Sequence, residues 1–293
     1  MTNNRLGVTS GLLAYVLWGM LGVFWELLHA VPALDILSYR IIWSLVTLGI
    51  VLLVQNNWGT IWQTLKQLIQ TGKLIWIILS SLFITVNWLI YIVMVTHHQA
   101  TEASLGYYIM PLMNVAVAVI FLHERLSRAK VLALILVAVG VLMLTVQTGR
   151  LPATTLLMAA TFCLYSLIKK QVPLPATISL TLETLFVAPF AGIYLLTSPH
   201  VMTQNGPMIT GLIIVSGAVT VLPLALFAVA TKNTSFMTLG FIQYLSPTIQ
   251  LLMAILVLHE PFHLQKLAVF AFIWAGIAVF VWESIVIYRR QQP

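Results

Sequence analysis

The chain has 293 residues, 60% of them hydrophobic and only 7% charged, with a formal net charge of +7 and a mean hydropathy of +1.01. A soluble domain of this length cannot cover its surface with so few charges, so most of the chain has lipid for a solvent. Hydrocarbon leaves backbone polar groups no water to bond, and long apolar runs without alternation exclude a barrel, which leaves an all-α integral membrane protein. The basic residues fall between the apolar runs and form no patch, so the positive charge reports topology and gives no support to nucleic-acid binding.

In chain order the apolar runs predict ten spans, near residues 7–29, 34–54, 73–96, 102–122, 129–147, 152–169, 177–197, 207–230, 235–258 and 264–287. Each is about 18 to 25 residues, the length a bilayer core requires. The first follows Arg5 and is too long for a signal-peptide core, and no small-residue cleavage site precedes Pro32, so an uncleaved anchor is expected. Between the second and third spans, residues 55–72 carry Trp62, Leu65 and Leu68 at helical spacing and predict an amphipathic helix along the interface. Cys163 is the single cysteine and lies inside a span, so no intrachain disulfide is possible.

The stretch from Pro111 to Gly140 returns from Pro247 to Gly276. Proline, the triplet Leu-His-Glu (122–124 and 258–260), lysine (Lys130, Lys266) and glycine all pair at one constant offset, as do Ala118 and Ala254. With both termini cytoplasmic, eleven of the fourteen basic residues face the cytoplasm, Arg150 and Lys266 face out, and Arg40 lies within a span. Five spans separate the two triplets, so they face opposite sides. The expected architecture is therefore ten transmembrane helices as two inverted five-helix repeats, 1–147 and 152–293, with both termini inside.

Tyr107, Pro111 and Asn114 are spaced i, i+4, i+7 on span four, and Gln243, Pro247 and Gln250 repeat that spacing on span nine. A proline inside a helix frees the carbonyl four residues back, here those of Tyr107 and Gln243. Two readings compete: these faces line a substrate cavity, or the prolines kink the helices and the amides bond neighbouring spans. Asn87, Trp88 and Tyr91 on span three carry the same pair of readings. Trp18 and Trp43 lie too deep for an interfacial belt and form an aromatic wall or plain packing.

Glu26 and Arg40 sit at matching depth in the first two spans. An arginine there costs about 2.5 to 3.5 kcal/mol on insertion scales, so pairing with Glu26 or Asp35 is the economical expectation, as a structural clamp, a gate or a proton-linked carboxylate. Glu183, between Thr181 and Thr184 near the cytoplasmic end of span seven, is the leading candidate for a protonatable coupling group. His123 with Glu124, His259 with Glu260, and His97 and His98 with Glu102 lack the opposed ligand geometry of a zinc helix, so no metal and no cofactor are expected. Glu124 and Glu260 are expected to reach the amides of the span that follows each.

Ala14–Gly19 (AYVLWG), Arg40–Ser44 (RIIWS), Asn87–Tyr91 (NWLIY), Glu102–Tyr107 (EASLGY), Leu180–Leu185 (LTLETL), Thr238–Pro247 (TLGFIQYLSP) and Phe270–Trp274 (FAFIW) resemble the RarD branch of the EamA family, in the drug/metabolite transporter superfamily. The resemblance covers nearly the whole chain. It implies inverted repeats, export or exchange of small molecules, a cavity bounded by the first four helices of each half, and peripheral helices five and ten that serve dimer contacts in some relatives. The branch carries a label of chloramphenicol sensitivity. Asp35 departs from the glutamate common there.

A carrier in the bacterial cytoplasmic membrane accounts for repeat, prolines and resemblance together. Neither a carbonyl filter nor rings of like charge suggest a channel. The intramembrane-enzyme alternative rests on Ser216-Gly217 with no histidine at midplane, and no catalytic residue is expected. The expected binding residues are Trp18, Asn87, Trp88, Tyr91, Tyr107, Pro111, Asn114, Gln243, Tyr244, Pro247 and Gln250, with Glu26, Arg40 and Glu183 for gating or coupling. The amide and aromatic lining suits a small neutral or zwitterionic metabolite or drug.

Overall fold

The computed structural model describes residues 4–122, 127–149, 152–172, 174–197, 206–233, 242–260 and 264–291. Among them eleven helices follow in order: α1 (Asn4–Glu26), α2 (Ala33–Val54), α3 (Trp58–Gln70), α4 (Leu74–Thr96), α5 (Ala100–Leu122), α6 (Arg128–Thr148), α7 (Ala153–Gln171), α8 (Ala176–Thr197), α9 (Gly206–Asn233), α10 (Leu245–Leu256) and α11 (Leu264–Gln291). The first span ends in tight turns at Leu28 and Val31, and Pro32 caps α2, where its missing N–H costs nothing. Asn56 and His98 take left-handed backbone (φ 52° and 57°) and break the chain before α3 and α5.

Five stretches in α1, α2, α4, α8 and α9 are long and apolar enough to cross a membrane, and shorter apolar stretches lie in α6, α7, α10 and α11. Val146, Phe190 and Leu196 are 75%, 72% and 87% exposed. Such side chains would burden a protein in water; against lipid tails they lie in a matching solvent. The chain is a multi-pass helical membrane protein.

Helices from the two ends of the chain interleave. α1 packs on α9 and α10, α2 on α8 and α9, α4 on α7 and α8, α5 on α7 and α10, and α6 on α11. The largest core cluster gathers Trp25, Leu28, Ile36, Ile41, Ile92 and Met158 between these pairs. Without water to drive helices together, close backbone approach does the work. Gly217 on α9 lies so near α2 that a Cβ there would overlap the Trp43 carbonyl. On the α6–α11 pair a Cβ at Gly140 would come within 3.2 Å of the Val269 carbonyl, and one at Gly276 within 2.9 Å of the Ala133 carbonyl. The two glycines that close the sequence repeat thus serve one contact.

The expected amphipathic helix forms as α3, with Ile61 and Leu68 buried against Leu52, Ile77, Ile178 and Leu182, while Trp62 stays exposed under the Lys66 ammonium, 5.5 Å from its ring centroid. The ninth span differs from expectation. Tyr244 stands in a turn as the N-cap of α10, so Pro247 falls in that helix's first turn, where no N–H is needed.

Candidate functional site

Helix α2 carries Arg40 about two turns from its start, roughly 10 Å along the axis. The side chain is 4% exposed. Its Nε donates to Thr220 Oγ1 on α9 at 2.9 Å. Its guanidinium carbon lies 4.1 Å from the Trp88 ring centroid and 4.9 Å from that of Trp25, so indoles from α4 and α1 stack on the cation. Tyr91 and Tyr107 stand within electrostatic reach and pack edge-on at 5.5 Å. Gly22 leaves room for the Tyr91 hydroxyl, which lies 3.4 Å from where a Cβ would be.

The expected ion pair of Arg40 with Glu26 or Asp35 does not form. Glu26 Oε1 instead meets His98 Nδ1 at 3.2 Å, and its Oε2 is buried with no partner among the described residues. Aromatic faces take the place of a carboxylate around Arg40 because a delocalised guanidinium is weakly hydrated and stacks well.

Behind Trp88 a narrow cavity is lined by Ile41, Ile84, Thr85, Trp88, Glu183, Thr184 and Val187. Glu183 is buried at its edge. Ser80 Oγ donates to Glu183 Oε1 at 2.5 Å, Ser179 Oγ to the same oxygen at 3.2 Å, and Tyr165 OH to Oε2 at 3.4 Å. The flanking Thr181 and Thr184 bond back to the Thr177 and Leu180 carbonyls.

A third polar group lies between α1 and α10. Gln250 Nε2 donates to the Trp18 carbonyl at 3.4 Å and Ser246 Oγ at 3.3 Å, while Gln250 Oε1 and the Tyr244 hydroxyl are buried without partners among the described residues. Trp18 packs in an aromatic cluster with Tyr15 and Phe227, at 5.2 and 5.6 Å.

The sequence pattern of the EamA-like transporter family matches residues 5–146. A Bacillus subtilis protein described as "Uncharacterized transporter YojE" is 41% identical over 285 residues, covering 96% of this chain and 95% of that one. "Protein RarD" of Escherichia coli is 38% identical over 291 residues, with 98% and 97% covered. This chain belongs to the RarD branch of the EamA family. A Pseudomonas aeruginosa relative described as "Chloramphenicol-sensitive protein RarD" is 25% identical over 97% of this chain and 96% of its own. A solved crystal structure, described only as that of a protein, shares the fold at a TM-score of 0.62 and 17% identity, covering 93% of this chain and 96% of that one. The chain is thus a membrane transporter.

In this RarD-branch protein the expected site residues fall into separate groups. Trp88, Tyr91 and Tyr107 gather around Arg40. Trp18 and Gln250 meet one helix face away, with Tyr244 and the buried Pro247 on the same short helix end, and Gln243 half-buried just before it. Asn87 turns elsewhere: its Nδ2 donates to the Met158 carbonyl at 2.8 Å and Thr161 Oγ1 at 3.3 Å, tying α4 to α7. For Pro111 and Asn114 the helix α5 is described, but their side chains lie outside the described residues.

Glu260 corrects another expectation. It caps α5 and not the helix that follows it, accepting from the Ala100 and Thr101 amides at 2.6 and 2.9 Å and from Thr101 Oγ1 at 2.7 Å. The exposed amides of a helix start attract a carboxylate wherever the fold brings one, irrespective of chain order. His123 and Glu124 lie outside the described residues. Sequence reasoning missed Trp25 and Thr220, which complete the Arg40 surround, and Ser80 and Tyr165, which meet Glu183. Trp25 sits beside Glu26 at the depth of Arg40 and carried a usable signal; the hydroxyls carried none.

Proposed function

We propose that this chain is a secondary transporter that moves a small neutral or zwitterionic metabolite across the bacterial cytoplasmic membrane by alternating access, in the direction of export. The observation that carries the reading is a buried polar centre built by both halves of the chain: Arg40, Trp88, Tyr91 and Tyr107 from residues 1–147, with Thr220 from 152–293. A carrier needs its site between two units that rock against each other.

The inverted ten-span arrangement draws support from the packing. When the helices matching the ten spans are exchanged between halves, the pairing of α1 with α9 becomes that of α4 with α7, α1 with α10 becomes α5 with α7, and α2 with α9 becomes α4 with α8. The contacts of α2 with α8, α5 with α10 and α6 with α11 map onto themselves. The same symmetry supports units 1–147 and 152–293, and the distribution of basic residues supports cytoplasmic termini. Glu183 in its hydroxyl cage is the proton-coupling group of this reading, and the outer lipid-facing sides of α6 and α11 are its homodimer surface. No chemistry is assigned to the site, and no metal or cofactor enters the cycle.

Counterflow in proteoliposomes across amino acids, neutral metabolites and chloramphenicol tests the proposal, with Gln243→Ala beside wild type. Saturable exchange of one class, lost in the variant, is expected. Exchange unchanged in the variant would move the site away from α10, and no exchange of any compound would sink the carrier reading.

A further inference from the structure

Resting on the carrier reading, we infer that Arg40 is a fixed counter-charge for the transported molecule, and that its site takes a planar carboxylate. A guanidinium stays protonated under all physiological conditions, so a buried one requires an anion or a substitute for it. Among the described residues no carboxylate, Asp35 included, stands in ion-pair contact with Arg40, and Glu26 turns to His98 instead. The one hydrogen bond Arg40 makes among the described residues, to Thr220, uses Nε.

Part of the guanidinium is already occupied. Trp88 and Trp25 lie over the cation at 4.1 and 4.9 Å, and Thr220 occupies the Nε side. The two terminal nitrogens make no hydrogen bond among the described residues, and in this inference the ligand meets them edge-on beside the indoles. A carboxylate fits this edge with two parallel N–H···O bonds. A phosphate monoester is tetrahedral and would press an anionic oxygen toward the electron-rich indole faces. A carboxamide offers one acceptor and sets its own N–H donors against those of Arg40. The substrate is therefore a carboxylic acid or a zwitterion bearing one, with an apolar remainder that suits the aromatic walls, and neutral drugs are poor ligands.

The experiment uses the full chain in proteoliposomes. Counterflow is measured for a panel of apolar amino acids, each beside its carboxamide, with a hexose phosphate and chloramphenicol included. In wild type at least one acid exchanges saturably, and its carboxamide is about 10- to 100-fold weaker, the difference expected for losing charge-assisted bonds in a buried site. Arg40→Lys keeps the charge but loses the paired edge and raises KM about tenfold. Arg40→Gln handles acid and amide alike. Thr220→Val, which leaves the charge in place and only loosens its aim, gives an intermediate KM; it carries the test with the wild-type ratio if Arg40→Gln does not fold.

Equal handling of acid and amide by wild type, or an unchanged acid preference in folded Arg40→Gln, overturns the inference. Saturable exchange of neutral compounds or the hexose phosphate alone overturns it while leaving the carrier intact. No exchange of any compound overturns both.

Discussion

Arg40 on α2 and Glu183 on α8 are each buried about two turns into helices that pack on one another, yet the fold surrounds them differently. Arg40 meets two indole faces and a single hydroxyl acceptor. Among the described residues Glu183 meets the hydroxyls of Ser80, Ser179 and Tyr165. A hydroxyl can both donate and accept, which makes it a versatile partner for a carboxyl group. Indole faces offer no such exchange and hold a permanent cation. Trp88 stands between the two, touching the cation on one side and the cavity edged by Glu183 on the other.

The most severe way to break this contrast is to part the helices that hold the cation. Gly217→Val would drive a branched side chain into the Trp43 carbonyl and separate α9, with Thr220, from α2, with Arg40. A loss of about 3 kcal/mol is expected, read as a much lower melting temperature in detergent, with Arg40-dependent selectivity lost as well. A Gly217→Val protein that melts like wild type would show that the close approach is not needed.

Glu183→Gln sharpens the contrast more selectively. The amide keeps the shape, accepts from hydroxyls through Oε1 and donates to one through Nε2, but binds no proton. Exchange at constant pH should persist within a few-fold of wild type, while uptake driven by a pH gradient should be lost. Gradient-driven uptake that survives in Glu183→Gln would remove the coupling role.

Glu260 gives a third treatment of a buried charge, in which a helix start supplies the donors. Replacing it by alanine leaves the Ala100 and Thr101 amides without their acceptor, and a cost of about 1 to 2 kcal/mol is expected in thermal unfolding. Glu260→Gln should recover part of it. Smallest of all, Ser80→Ala removes one of the hydroxyls at Glu183 and should cost about 1 kcal/mol with gradient-driven uptake retained.

Much of the fold was legible in the sequence because hydrocarbon allows so few solutions. Apolar runs long enough to span must be helices, and the helix bounds of α2, α4 and α8 fall within a residue or two of those expected. The site was legible only in part. Trp88, Tyr91 and Tyr107 were expected near a substrate and do surround Arg40. Asn87, one turn from Tyr91, turned to α7, because a one-turn spacing fixes a shared face but not the neighbour that face meets.

The sequence by itself determined the solvent, the helical class, the duplicated stretch and the family, since each depends on composition or on local and repeated spacing. Only the tertiary structure decided which partner each buried charge received. Glu26 and Arg40 matched in depth and looked like a pair, but depth is one coordinate of three. Rotation of α1 and α2 about their axes sends Glu26 to His98 and brings Trp25 over Arg40, and Thr220 reaches the same cation from 180 residues away. Contacts between helices distant in sequence are set by which faces pack, and no spacing along a single helix encodes that.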